Sequence, residues 1–495
     1  MSGAPFSPAD LEACIAVLEA VARDRGALAH VSLGDRLRLL EAAGRVSLPN
    51  RAEQRKLAKT FRRKEAQEIK AADQALLDET GIRALRRAPV FATPDPRALP
   101  GPAAPAAEEE SGPDLAEPRK CYVCKAEFRK LHFFYDQLCP PCARLNWDKR
   151  NQTANLEGRV ALITGARVKI GYQAAILLLR AGARVIVTTR FPHDAAARYA
   201  REHDFASFRE RLQIHGLDLR LTPAVERFAR GLDEREERLD FIIHNACQTV
   251  RRPPGFYAHL IDREREALSS LPADERPLLR AHHDDRLARR GPADAPALLS
   301  QAALTAEDRA LGGRVDLFPQ GELDADLQQI DLRPHNSWRL TLGEVPTVEL
   351  LEVHLVNAVA PFVLSGKLKG LMLRRPGRDK HIVNVSAMEG QFYRDHKTDK
   401  HPHTNMAKAA LNMLTRTSAM DYVRDGIHMN SVDTGWVTDE DPAALAAQKR
   451  EVHGFHPPLD IVDGAARIVD PIFSGLLTGE HGWGQFLKDY KPVPW

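Results

Sequence analysis

Four of the six cysteines stand in two CxxC pairs, Cys121/Cys124 and Cys139/Cys142, with 14 residues between the pairs. A CxxC turn presents two thiolates to one point, and tetrahedral Zn²⁺ takes four sulfur ligands at about 2.3 Å. Four thiolates fill that sphere, so the pattern predicts a structural zinc rather than a catalytic one. The second pair opens an expected helix (CPPCARLNWDKR), in the manner of a treble-clef-like finger. His132 lies between the pairs and reads as a packing residue. Phe133, Phe134 and Tyr135 form either the finger's own core or its docking face. The second chemical pattern is residues 160–171, VALITGARVKIG. An apolar run is followed by Thr164-Gly165, then by Gly171 at the start of an apolar helix pattern. Glycine permits the tight turn, and the free N–H groups and dipole at the helix start hold a phosphate. This is a dinucleotide-binding pattern.

These residues need a scaffold. From about residue 156, strand and helix patterns alternate to the end, with strands expected at 160–164, 184–188, 212–217, 241–244, 381–385 and 428–432. The fold class expected is α/β, a Rossmann-type doubly wound parallel sheet. The finger and an α-helical N-terminal region precede it. About 100 residues separate the fourth strand from the next helix, too many for an ordinary crossover. Residues 248–346 therefore read as an insertion, partly helical and packed over the substrate side. The expected boundaries are a helical region at 1–87, a Pro/Ala-rich linker at 88–118, the finger at 119–150 and the Rossmann domain at 155–495. Leu11, Ile15, Leu18, Val21 and Ala22 give the N-terminal region a helical apolar stripe, which suits a small bundle or an oligomerisation arm.

Composition narrows the classes. Of 495 residues, 43% are hydrophobic and 28% charged, with a net charge of +3. That balance excludes a strong field for nucleic acid or an anionic membrane. The basic cluster Arg51, Arg55, Lys56, Lys59, Arg62, Arg63 and Lys64 is interleaved with acids and reads as a solvated face. No apolar run approaches the ~18 residues of a membrane helix, and the first residues lack a signal-peptide pattern. Clustered rather than spread cysteines suit a reducing compartment. The expectation is a cytoplasmic protein.

The ordered motifs from residue 156 onward resemble the short-chain dehydrogenase/reductase family. TGARVKIG (164–171) resembles its TGxxxGxG phosphate loop. Leu217-Asp218-Leu219 sits where the family places an Asp against the adenine. HNAC (244–247) resembles the NNAG segment, bringing in Asn245 and Ala246. Asn357 in HLVNAVAPF matches the helix Asn of the proton relay, and Ser386 in IVNVSAMEG the catalytic Ser. Lys408 in HTNMAKAALNMLTR matches the Lys of YxxxK, which also binds the nicotinamide ribose. SVDTGWV (431–437) resembles the PG segment, with Thr434 and Gly435 in place of Pro-Gly. The resemblance covers about two-thirds of the chain.

It implies an oxidoreductase moving hydride between a nicotinamide cofactor and a small carbonyl or alcohol substrate. Further cofactor contacts are expected from Gly165, Arg167, Ile170 and Gly171. Lys169 replaces the middle glycine of the loop, either to touch a phosphate or to face solvent. After the second strand, VIVTTRFPHD offers Thr189 and Arg190 and no acid for a ribose hydroxyl. A guanidinium suits a 2′-phosphate, so NADP(H) is favoured over NAD(H). The main departure is Thr404, where the family has its catalytic Tyr. Three outcomes follow: Tyr393 or His403 supplies the proton, or no reduction occurs. In the last case the protein binds NADP(H) as a regulatory or scaffold protein. The finger or the N-terminal helices are then its partner-binding modules. A homo-oligomer is expected under either reading.

Overall fold

The computed structural model describes residues 6–95, 112–289, 295–311, 313–393 and 397–495. The chain divides into two units, Met1–Ala75 and Leu76–Trp495.

The first unit is helical. Pro8–Arg23 begins on a capping box between Ser7 and Asp10, and Leu33–Ser47 begins on Ser32, whose hydroxyl accepts from Asp35 N. A third helix, Arg51–Asp78, runs across the boundary into the second unit. Of the two alternatives, a small bundle or an oligomerisation arm, the described residues show no bundle core. Among the described residues of this unit only Leu28 is buried, while Leu11, Ile15, Leu18, Leu33, Leu37, Leu40, Leu57 and Phe61 are exposed.

The second unit begins earlier than the sequence suggested. Leu77 and Ile82 are buried in the same core as Cys121, Phe128, Leu131, Phe134 and Tyr135. Gly81 and Ile82 donate their N–H groups to Phe133 O and Phe134 O, both at 2.9 Å. The 1–87 region is therefore not one domain, because its last helical turns complete the finger. The 88–118 linker is also corrected at both ends. Thr93 Oγ1 donates to Glu202 at 2.7 Å, and Pro94 O accepts from Arg180 at 2.9 Å, which lays residues 91–94 along the Rossmann unit. Residues 114–118 lie in β1 (Asp114–Lys120), which pairs antiparallel with β2 (Glu127–Lys130). Residues 96–111 lie outside the described residues.

The main sheet has eight strands. β3 (Val160–Thr164), β4 (Arg184–Thr189), β5 (Leu212–Gly216), β6 (Phe241–His244), β7 (Lys380–Ser386) and β8 (Ile427–Asp433) are the six expected from sequence. β9 (Phe486–Lys488) and β10 (Lys491–Val493) extend it. The spatial order is β10-β9-β8-β7-β6-β3-β4-β5, parallel except for the terminal β9–β10 hairpin. Apolar cores fill both faces. One packs Lys169–Arg180 and Ile461–Thr478 on the sheet, and the other packs Thr222–Arg235 and Ala360–Leu373. The order reverses between β3 and β6, and a ligand crevice is expected there, beyond the strands' carboxyl ends.

Two further expectations change. The helical stretch Thr347–Leu373 is long and apolar enough to cross a membrane by length and composition, although Glu349, Glu352, His354, Asn357, Lys367 and Lys369 interrupt its apolar residues. In the fold its Leu364, Leu368, Leu371 and Met372 are buried against the sheet. The insertion covers more than the substrate side. Its helix Arg276–Arg289 lies along the edge strand β5, where His282 Nδ1 accepts the Gly216 N–H at 3.2 Å. That covers an edge otherwise open to pairing.

Candidate functional site

The crevice at the reversal is a cleft of about 750 Å³. Its floor is the β3 loop. Gly165 has φ +69°, and a Cβ there would meet Ala246 Cα at 2.7 Å. At Gly171 a Cβ would fall 2.1 Å from Asn245 Nδ2 and 2.6 Å from Gly165 O. Neither position has room for a side chain, so the backbone stays bare where a pyrophosphate would lie. Thr164 Oγ1 accepts the Ala246 N–H at 3.1 Å and Asn245 Nδ2 donates to Gly165 O at 2.9 Å, tying β6 to the loop. Lys169 takes φ +56° at the family's glycine position. A lysine bears a steric cost there that glycine does not. Its Nζ lies 3.9 Å from Asp326 of the insertion, so the ammonium is shared with a carboxylate rather than facing open solvent. Ile170 lines the cleft at the first turn of the helix.

The adenine end holds Thr189, Arg190, Asp218 and Leu219. Arg190 donates to Tyr257 OH at 2.6 Å and stacks 4.5 Å over that ring. Its hydrogen-bond partner is the Tyr257 hydroxyl, and its charge also helps hold the nearby Asp218 carboxyl below the usual range. Arg167 differs from the expectation. It donates to Asp194 Oδ2 at 2.6 Å, which neutralises it, and burial lowers its pKa. Asp218 is also engaged. Burial alone would raise its pKa, but Arg220, at 2.7 Å, outweighs that and holds it below the usual range. Arg220 also reaches Glu352 at 2.8 Å, and Glu352 accepts from Arg251 at 2.9 Å. Arg251 grips Asp308 through two bonds of 2.5 and 2.7 Å. This chain of alternating charges fastens the insertion to the adenine end. It escaped sequence reading because its members are far apart in the chain.

At the other end Ser386 and Lys408 line the cleft. Ser386 is 3% exposed and its Oγ has no hydrogen-bond partner. Lys408 Nζ donates to Val385 O at 2.8 Å, beside Ser386. Thr434 lines the same wall, and Gly435 N–H donates to Asp433 at 2.8 Å. Asn357 does not reach the cleft. It sits in a π-turn, Leu355–Val359, where its Oδ1 accepts the Gln248 N–H at 2.8 Å and so positions the strand-end segment Asn245, Ala246, Cys247 and Gln248.

Neither proton-donor candidate, His403 or Tyr393, lines the cleft, and nor does Thr404. Thr404 is one turn before Lys408 on the helix Pro402–Arg424, 2% exposed, with its Oγ1 unpartnered. Its hydroxyl sits one bond from Cβ, whereas a tyrosine would carry the oxygen across the width of a ring. His403 faces the neighbouring helix instead, its Nε2 3.3 Å from Glu349 Oε1. Tyr393 is 94% exposed.

The four cysteines come together as the spacing requires. All four sulfurs lie within 4.8 Å of one another, and Cys124 Sγ is 3.5 Å from Cys139 Sγ. Ligands at 2.3 Å around a tetrahedral zinc would be about 3.8 Å apart, so the thiols fit such an ion. Lys125, at φ +65°, closes the first turn by donating its N–H to Cys121 O at 3.1 Å. His132 is turned away, accepting the Phe134 N–H at Nδ1. Burial pushes its pKa down to about 4.

Comparison with known proteins agrees with this architecture. The sequence profile of the short chain dehydrogenases matches residues 159–262, and that of enoyl-(acyl carrier protein) reductase matches residues 326–456. The chain belongs to the short-chain dehydrogenase/reductase family. The break between the two matched segments falls inside the insertion. An uncharacterized protein of Acanthamoeba polyphaga mimivirus is 31% identical over 386 residues, 75% of this chain and 74% of that one. Bovine dehydrogenase/reductase SDR family member 13 is 37% identical over 120 residues, 23% of this chain and 29% of its own. Human retinol dehydrogenase 11 is 30% identical over 112 residues, spanning 22% of this chain and 35% of its own. The matches to these named dehydrogenases thus span only 29% and 35% of their length. Among solved structures, the Pseudomonas aeruginosa RhlG/NADP active-site complex is 19% identical, covering 68% of this chain and 95% of that chain, with a TM-score of 0.42.

Proposed function

We propose that the protein is an NADP(H)-dependent oxidoreductase acting on a carbonyl or alcohol, with a structural zinc in its four-cysteine knuckle. The observation that carries the reading is the pair Ser386 and Lys408 on the cleft wall, opposite a phosphate loop kept bare at Gly165 and Gly171. Arg190, which donates to the Tyr257 hydroxyl, favours the cofactor that carries a 2′-phosphate. When bound, the nicotinamide supplies or accepts the hydride. Ser386 Oγ, buried and without a partner, is free to donate to the substrate oxygen and orient it. With Thr404, His403 and Tyr393 away from the cleft, the proton falls to Lys408. Its Nζ stands beside Ser386, donating to Val385 O at 2.8 Å. Asn357, Asn245, Ala246, Thr434 and Gly435 hold the cofactor's surroundings in place.

A second reading is favoured by the withdrawal of Thr404. In it the protein binds NADP(H) without reducing anything, and the exposed apolar faces of the N-terminal helices receive a protein partner. Titration with NADPH, followed by cofactor oxidation over a panel of aldehydes and ketones, separates the two. Binding with oxidation supports the enzyme, and binding with none across the panel supports the regulator. A homo-oligomer is part of either proposal, tested by mass in solution.

A further inference from the structure

The knuckle does not stand apart from the cleft. Tyr122 lies inside the first CxxC turn, and its hydroxyl accepts the Trp436 N–H at 2.9 Å. Its own N–H donates to Gln137 O at 2.9 Å, and the Gln137 amide donates to His456 O at 2.7 Å. Val437 and Leu459 are buried in one core with Cys121, Leu138 and Cys139. The chain leaving β8 is thus gripped at Trp436 and Val437, runs along the cleft, and is gripped again at His456 and Leu459. The two grips meet each other. Leu459 N–H donates to Trp436 O at 3.3 Å, and the Trp436 ring lies 4.7 Å from that of Phe455. Between them the segment places Thr438, Asp439, Asp441 and Arg450 on the cleft wall. Immediately before them, Asp433 takes the Gly435 N–H on one oxygen and the Met388 N–H on the other, both at 2.8 Å, which joins this neck to the loop after Ser386.

We infer that the four-cysteine knuckle is a metal-dependent clamp on residues 434–459, with Tyr122 as the positioning residue that couples the thiolate site to the cofactor cleft. The inference rests on reading the four thiolates as a zinc site. The turn carrying Tyr122 joins β1 to β2 and is closed by the Lys125 N–H on Cys121 O at 3.1 Å, by the Cys121 N–H on Ala126 O at 2.8 Å and by the convergence of Cys121 and Cys124. A bound ion fixes that convergence, because metal binding and local folding are one equilibrium in such small sites. Without the ion the turn relaxes, the Tyr122 hydroxyl leaves Trp436, and the cleft-lining segment loses its inner grip.

Hydrogen–deuterium exchange on the full-length protein tests this, before and after zinc is removed with a chelator, alongside NADPH titration. Zinc removal should raise exchange at least tenfold in peptides over 434–459 while peptides over 160–189 stay protected, and NADPH affinity should fall several-fold. Tyr122→Phe keeps the ring and all four thiols and removes only the acceptor. It should retain zinc at the parental level and the parental unfolding midpoint, yet show the faster exchange at Trp436 and weaker NADPH binding. Gln137→Ala should loosen the His456 end in the same way. Purified protein without zinc overturns the zinc reading and the metal dependence with it. Zinc present, with 434–459 unmoved by its removal and by Tyr122→Phe, overturns the clamp alone.

Discussion

Arg190→Ala should remove the preference for NADPH while leaving NADH binding near its starting value. The guanidinium is held from one side by the Tyr257 hydroxyl at 2.6 Å and from below by the ring at 4.5 Å. It is therefore placed before any ligand arrives, and little ordering entropy is lost on binding. Its neighbour Arg167 cannot replace it, because Asp194 already takes that charge at 2.6 Å. A hydrogen bond to a charged group contributes about 1.5–3 kcal/mol. At ~1.4 kcal/mol per tenfold, the NADPH Kd should rise about 10- to 150-fold. Added salt should weaken the parent's NADPH binding more than the variant's, because a screened charge is what was removed. Tyr257→Phe is the control. It keeps the stacking surface and should cost less than the arginine itself. Fluorescence titration with both cofactors provides the measurement. Equal loss for NADPH and NADH, or a parent that binds both equally, would refute the reasoning.

Other outcomes follow from the same geometry. Gly171→Ala should abolish cofactor binding with the fold intact by circular dichroism, since its Cβ would lie 2.6 Å from the backbone oxygen of Gly165 in the phosphate loop. Purified protein should carry about one zinc per chain by metal analysis, and Cys124→Ser should lose it. Thr404→Tyr should speed any carbonyl reduction, up to the ~10²–10⁴-fold that general acid catalysis supplies, whereas Tyr393→Phe should leave turnover unchanged. His244 and His215, both pushed down to about 3 by burial, stay neutral in the fold but protonate near pH 6.5 once the chain unfolds. The unfolded state then binds more protons. Stability is full above about pH 6.5 and falls toward pH 3 by ~1.4 kcal/mol per unit for each histidine. Denaturant midpoints across that range check the slope, which His244→Asn should flatten.

The sheet was legible in the sequence because six of its strands are buried apolar runs between turns, and β3 and β6 begin and end where the pattern placed them. β9 and β10 were not, because three residues carry no periodicity. β1 contains Pro118 and lies in a stretch whose composition reads as linker. The thiol cluster was legible from spacing alone. What spacing could not show was commitment. Arg167 and Asp218 line the cleft and Asn357 does not, and each is bonded to a neighbour, Asp194, Arg220 and Gln248 respectively. Tyr122 went unread for a related reason. A residue between two cysteines gives no sign that it reaches Trp436, hundreds of positions away. The N-terminal stripe is helical, as its spacing predicts, but its apolar face is exposed within the unit, and spacing alone does not show whether such a face is buried.

Hydride transfer at the wall formed by Ser386 and Lys408 is the reaction proposed for this cleft. The most direct test uses NADPH carrying deuterium at the transferable position, mixed with the full-length protein and a panel of aldehydes and ketones. Mass analysis then locates the label in the product alcohol. The account predicts deuterium on the carbinol carbon with the parent protein, and at least a hundredfold slower labelling with Ser386→Ala at unchanged NADPH affinity. Saturating NADPH binding with no label in any product would contradict it.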